Sequence, residues 1–269
     1  MNAVRLPSFF AVAGAAAGRE WLSHRLNRFF YAHVALVSAA GLLPLLTPGE
    51  ALVSGAAWWL LHAVLYALSL SSLLLGLSSA HAEAEEFAWL LGQPVGVAPW
   101  LAGKAAALAA MVAGASLLLA APVVVAGGAS SALALTVAGA AGVSATCALA
   151  GLALGFWIRD SVRGLMAALG LWFLLLFGVD LLLLATAGSP FAQQRPDLWV
   201  GSLMASPLDA YRVTVLFTVE RAAFSGINAG ALTTWWVGHA PAWLAALLGT
   251  WGAGSVAMAW LGASRRMEG

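Results

Sequence analysis

Six apolar stretches, each long enough to cross a bilayer as a helix, fill most of the 269 residues, and the positive charge collects on one side of them. The stretches run over Phe29–Leu46, Ala56–Ser79, Leu101–Ala126, Ser131–Trp157, Gly164–Thr186 and Pro241–Leu261. None alternates polar and apolar residues as a barrel strand does, so the pattern predicts helices. Only 9% of the residues are charged against 62% hydrophobic. That is too little charge to cover a water-facing surface, but enough for one that faces lipid. The expected fold is all-α, a single polytopic membrane domain over residues 1–269.

Charge sets the orientation. Arg5, Arg19, Arg25 and Arg28 precede the first stretch, and Lys104 begins the third. Arg159 and Arg163 fill the turn between the fourth and fifth, and Arg265 and Arg266 follow the sixth. These are nine of the 12 lysines and arginines. Arg195, Arg212 and Arg221 fall in the long connection after the fifth stretch. Basic loops stay in the cytoplasm during insertion, so both termini are expected there. The segment Phe9–Gly18 could pass for a signal peptide, but cleavage after it would put Arg19, Arg25 and Arg28 outside. An N-terminal amphipathic helix on the inner membrane surface, carrying Arg19, Glu20, Arg25 and Arg28, fits the charges better. Trp58, Trp59, Trp100, Trp157, Trp199, Trp235, Trp236 and Trp260 fall near expected interfaces.

Two connections exceed simple turns. Residues 80–100, on the inner side, hold Glu83, Glu85 and Glu86, then Leu90, Leu91, Gln93 and Pro94. Read from the residues, this is either a short cytoplasmic helix bracketed by two spans or a solvated acidic loop. Residues 188–240, on the outer side, contain Ser206, Pro207 and Asp209, which suit a helix start. Leu208, Tyr211, Val215 and Val219 then recur at helical spacing, predicting about four turns that lie on the outer membrane surface or dip into it, with Trp235 and Trp236 at the headgroups.

Chemistry-bearing patterns are missing. Gly96 to Gly103-Lys104 has the wrong spacing for a phosphate loop, and Ala105 stands where a magnesium-binding hydroxyl would be. No metal-ligand spacing or nucleophile elbow occurs, and the five histidines (24, 33, 62, 81, 239) are scattered. No enzyme activity, bound cofactor, metal or nucleic-acid partner is expected of this chain; its surroundings are lipid. Inside the spans, Asp180 is a functional candidate or a structural hydrogen-bonding acid, and His62 reads as a packing residue. Cys147, alone in its chain, reads as a small packing residue. Gly151 and Gly155, like Gly14 and Gly18, form G-x-x-x-G pairs that let helices approach, within one chain or between two.

The layout resembles the membrane subunits of ABC-type exporters. Arg19-Glu20-Trp21-Leu22 with Arg25-Leu-Asn-Arg28 is similar to their entry helix. Glu85-Glu86 … Leu90-Leu91-Gly-Gln93-Pro94-Val95 … Gly103-Lys104 is similar to the segment that meets the ATPase, although Phe87-Ala88 stands where Gly-Thr is usual. Within that group, Arg159-Asp160-Ser-Val-Arg163 and Ser206-Pro207-Leu-Asp209-Ala-Tyr211-Arg212 resemble the NosY permeases of nitrous oxide reductase maturation, with Ser206 in place of the usual Asn. The resemblance implies a homodimer in the bacterial inner membrane. It implies a lever at Glu83–Pro94, a second cytoplasmic contact at Arg159, Asp160 and Arg163, and docking at Ser206, Pro207, Asp209, Tyr211 and Arg212. Its implied partners are a cytoplasmic NosF-like ATPase, which would hold ATP and magnesium, and a periplasmic NosD-like β-helix protein. The implied cargo is a sulfur species for the copper–sulfide centre. The same architecture also serves export of lipids, drugs or peptides, and a non-transporting scaffold is a third expectation.

Overall fold

The computed structural model describes residues 8–25, 27–46, 51–83, 96–125, 130–186, 188–190, 194–219 and 231–268. Of the expected lever, Glu85, Glu86, Leu90, Leu91, Gln93 and Pro94 therefore lie outside the described residues, as does Arg221. Among the described residues there is no strand, and six helices are long and apolar enough to cross a membrane. The chain is accordingly read as a multi-pass, all-α membrane protein. In lipid every backbone N–H and C=O needs an internal partner, and helices supply it segment by segment.

Helix α1 spans Phe9–His24 and begins at Ser8, whose hydroxyl accepts from the Ala11 amide at 3.3 Å. The first span is α2, Arg28–Leu42, started by Asn27 accepting from the Phe29 amide at 2.9 Å and prolonged by a 3-10 turn over Leu43–Leu46. The second runs through α3 (Ala51–His62), a π segment (Ala63–Leu68) and α4 (Ser69–Ala82). The third comprises α5 (Val97–Ser116), a 3-10 turn at Leu117–Leu119 and α6 (Ala121–Val125). The fourth is α7, Ser131–Trp157, begun by Ser130. The fifth is α8, Ser161–Thr186, begun by Asp160, whose Oδ1 accepts from the Arg163 amide at 2.7 Å. Two short helices follow, α9 (Pro196–Ala205) and α10 (Pro207–Val219), before the last span, α11, at Ala231–Glu268.

Helix α7 is the axis of the fold, packed against α4, α5 and α11. Its contact with α4 is backbone on backbone: a Cβ at Gly151 would meet the Leu73 carbonyl, and one at Gly76 the Ala148 carbonyl. Small residues permit this approach, and dispersion then acts along the seam. The Gly151–Gly155 pair thus serves packing within the chain, whereas Cβ atoms at Gly14 and Gly18 would meet nothing. Cys147 is buried in the same seam.

Three expectations change. The last helix begins ten residues before Pro241 rather than at it. A proline inside a membrane helix costs one backbone hydrogen bond, and neighbouring helices tolerate it there. Trp100 and Trp236 are packed against protein rather than presented to the surroundings: each is under 10% exposed. Trp100 stands edge-on to Phe156 at 5.9 Å and Trp236 edge-on to Phe217 at 5.6 Å. Third, α10 buries more than one stripe. Leu208, Tyr211 and Val215 are buried as the spacing predicts, but so are Asp209, Ala210 and Thr214.

Candidate functional site

Two clusters of charge are built into the apolar frame, one at each end of the spans. The cluster at the α1 end, called inner after the orientation expected from the charges, starts from that helix. Its buried side is polar: Glu20 and His24 are 2% exposed, while Phe10, Trp21 and Leu22 on the same helix are more than half exposed. A helix this close to lipid puts its apolar residues outward and its charge against protein. α1 packs on α5, where a Cβ at Gly103 would run into the Ala13 backbone. That contact brings Glu20 to Lys104, the next residue along α5.

Lys104 is the only lysine in the chain. Its Nζ lies 2.5 Å from Glu20 Oε2 and 3.1 Å from Glu83 Oε2. Ser79, at the end of α4, donates its hydroxyl to Glu20 Oε1, and Arg19 stands 3.9 Å from Glu83 Oε1. Two glutamates, one lysine and one arginine balance formally to zero, which is what burial at this depth demands. Removal from water pushes the Glu83 carboxyl above its ordinary range, and Lys104 pulls it back only in part. His24 completes the group, with Nδ1 3.0 Å from the Glu20 carbonyl.

The inner turn between α7 and α8 is fastened separately. The His81 ring bonds the Ile158 carbonyl at 2.8 Å. Asp160 is occupied as the α8 cap, and Arg159 and Arg163 are exposed beside it. Arg266 donates to the Gly155 carbonyl and Arg265 lies over the Trp157 ring at 4.3 Å. Arg25 and Arg28 are exposed.

The outer cluster joins α8 to α10. Arg212 grips Asp180 with two hydrogen bonds of 2.9 Å and also reaches Asp209 Oδ1 at 2.9 Å. Two acids hold the Arg212 guanidinium in its charged form, first through the hydrogen bonds it donates to Asp180. Burial raises the Asp209 carboxyl, against a hydrogen bond from the Ser206 side and the charge of Arg212. Ser206 donates its hydroxyl to the Leu175 carbonyl at 3.3 Å, and Tyr211 donates to the Thr136 carbonyl at 3.0 Å. His62 is exposed rather than packed inside: it stacks between Trp58 and Tyr66, its Nδ1 on the Trp58 carbonyl at 2.7 Å.

The structure therefore brings Ser206, Asp209, Arg212 and Asp180 together, but turns Ser206, Pro207, Asp209 and Tyr211 into the bundle. The side chains of these four are buried within the chain, and Arg212 alone of the five is partly exposed. It also brings together Glu20, Glu83 and Lys104, which sequence reasoning assigned to three separate roles. The signal was present: Glu20 and His24 lie one helical turn apart, and a lone lysine eight residues into an apolar helix needs a counter-charge.

Among the described residues, no group of three or more His, Cys, Asp or Glu side chains is placed to hold a metal ion. Neither a protein-family model nor a curated protein matches the chain.

Proposed function

We propose that this chain is the membrane subunit of an ATP-driven exporter of the ABC type, working as a homodimer with both termini in the cytoplasm of a bacterial inner membrane. The observation that carries the reading is the Glu83–Lys104 ion pair. Glu83 directly follows the second span and Lys104 lies near the start of the third, so the pair fastens together the two ends of the segment that would meet an ATPase. Glu20 adds α1 to the same fastening. A push on residues 84–95 would then move the entry helix and two spans as one body rather than bending a loop. Two packed arrangements of such a body are what alternating access requires. Helix α8 contributes a second support: its apolar side chains, Met166, Phe173 and Leu174 among them, are largely turned outward, leaving a face for a second copy or for lipid.

The narrower reading, a NosY-like permease with a NosF-like ATPase, a NosD-like partner and a sulfur cargo, rests on the residue resemblance. The burial of Ser206, Pro207, Asp209 and Tyr211 favours the broader class, because that motif is then an internal brace available to any exporter of this build. ATP and magnesium would be held by the partner ATPase.

Affinity purification of the tagged protein from native membranes in mild detergent, with partners identified by mass spectrometry, tests both. An ATPase subunit recovered with the chain is the expected result. Recovery of a periplasmic β-helix protein as well would select the NosY-like reading. A folded preparation that carries no ATPase, and whose function survives Glu86→Lys, would count against the exporter.

A further inference from the structure

Between α8 and α11, floored by α7, runs an apolar groove of about 720 Å³. Ala150, Ala153 and Trp157 line its floor, Leu171 one wall, and Gly254 and Met258 the other. Small residues leave it open: a Cβ at Gly254 would meet nothing within 4 Å. From Thr250 to Met258 the groove follows α11 for about 12 Å of rise, close to the ~15 Å of hydrocarbon in one leaflet. Met258 and Trp157 are 46% and 37% exposed, so the groove faces the bilayer.

At one mouth the groove meets cations. Trp157 donates its indole N–H to the Met258 carbonyl at 2.7 Å, and the Arg265 guanidinium lies over the same ring at 4.3 Å. Ile158 lines the groove, and the next residue is the exposed Arg159. Arg159 is near enough to Arg266 for their charges to oppose each other, and Arg163 is exposed in the same turn. Among the described residues, none of these four arginines has a carboxylate within ion-pair distance. Asp160 is occupied as the α8 cap, and Glu268 is the other acid that the sequence places at these helix ends. Like charges gathered in this way are stabilised by an anion, and a guanidinium stacked on a ring keeps its in-plane N–H groups for one. A soluble anion would satisfy the arginines and leave the groove unfilled. A phosphate that carries acyl chains does both, and a headgroup without a cation of its own keeps the full attraction.

We propose that this groove and its arginines form a site for an anionic phospholipid, with the phosphate beside Arg159 and Arg265 and one acyl chain lying between α8 and α11. The site requires the membrane reading of the fold and not the exporter reading. A lipid held there bridges α7, α8 and α11 at their common end.

The test is native mass spectrometry of the full chain in detergent, titrated with lipids of identical acyl chains bearing a glycerol or a choline headgroup. Both carry the phosphate, and only the glycerol lipid is net negative. It should bind about tenfold more tightly, the preference expected from two arginines at the membrane surface. Arg159→Gln combined with Arg265→Gln should remove that preference. Gly254→Leu keeps every charge but fills the groove, so it should weaken both lipids severalfold while the melting temperature of the lipid-free protein stays within a few degrees. Equal binding of the two lipids by the wild-type chain would overturn the site and leave the arginines to a soluble partner. A preference that survives the double arginine substitution would overturn it as well. So would undiminished lipid binding by a folded Gly254→Leu protein; if that variant also split a wild-type dimer, the groove would be the seat of a second copy. Displacement of the glycerol lipid by inorganic phosphate at equal concentration would reduce the site to one for a soluble anion.

Discussion

The inner and outer clusters share a centre, two carboxylates around one cation, to which the inner one adds Arg19 beside Glu83, in opposite surroundings. At the inner end, the side chains of Lys104 and Glu20 are 2% exposed and Glu83 11%. At the outer end Asp180 is 42% exposed and Arg212 29%, with only Asp209 buried. The difference teaches that equal-looking salt bridges differ in what their loss costs. A half-exposed pair can be rehydrated, whereas a buried one leaves its partners charged in a medium that does not solvate them. The choice of cation follows. Lysine, a compact charge, fits between two carboxylates in a tight space, and arginine's planar fork spans two helices at a wet edge.

Breaking each cluster in turn orders the expected effects. Lys104→Met leaves two carboxylates, Glu20 and Glu83, with only Arg19 beside Glu83 against them, and should destabilise the protein by about 3–5 kcal/mol, read as a large drop in melting temperature in detergent. A loss under about 1 kcal/mol would mean that water reaches the inner cluster. Arg212→Met strands the buried Asp209 and should cost about 1–3 kcal/mol in the same assay. Tyr211→Phe removes one buried hydrogen bond, to Thr136, and should cost about 1 kcal/mol. Asp180→Asn keeps the shape of a half-exposed partner and should cost no more than about 1 kcal/mol. If it exceeded Arg212→Met, the contrast between the two ends would fail.

The smallest effect is a slope. Burial raises the Glu83 carboxyl above its reference value of 4.5 in the folded chain. The folded state then binds its proton more tightly than the unfolded state, so this contribution is complete below about 4.5 and is lost as pH rises through the raised folded value. Melting temperature followed upward from pH 4.5 should therefore decline more steeply in wild type than in Glu83→Gln. Parallel curves would show that Glu83 is as well solvated as a free glutamate.

The frame was readable before any coordinates, because lipid imposes long apolar helices that nothing else explains. Ser131–Trp157 coincides with the expected fourth span, and the fifth differs only by the turn that Asp160 caps. The start of α11 was not readable, because proline argues for a break, whereas the helix runs through it packed on its neighbours, Trp236 on Phe217 among the contacts. The α10 helix start was legible in Ser206-Pro207, but its depth was not: a period of three or four reports one buried face, and here several faces are enclosed. Asp180 announced itself as a carboxylate in an apolar helix. Its partner, 32 residues away, is fixed by how α8 and α10 meet, which no local pattern encodes.

The solitary lysine has a practical corollary. Isotope-labelled lysine would enter this chain at one position, so a spectrum of side-chain ammonium groups would contain a single resonance, and that resonance belongs to the inner cluster. An observer could follow one line through titration, lipid addition or partner binding and know, without assignment experiments, which three helices it reports on.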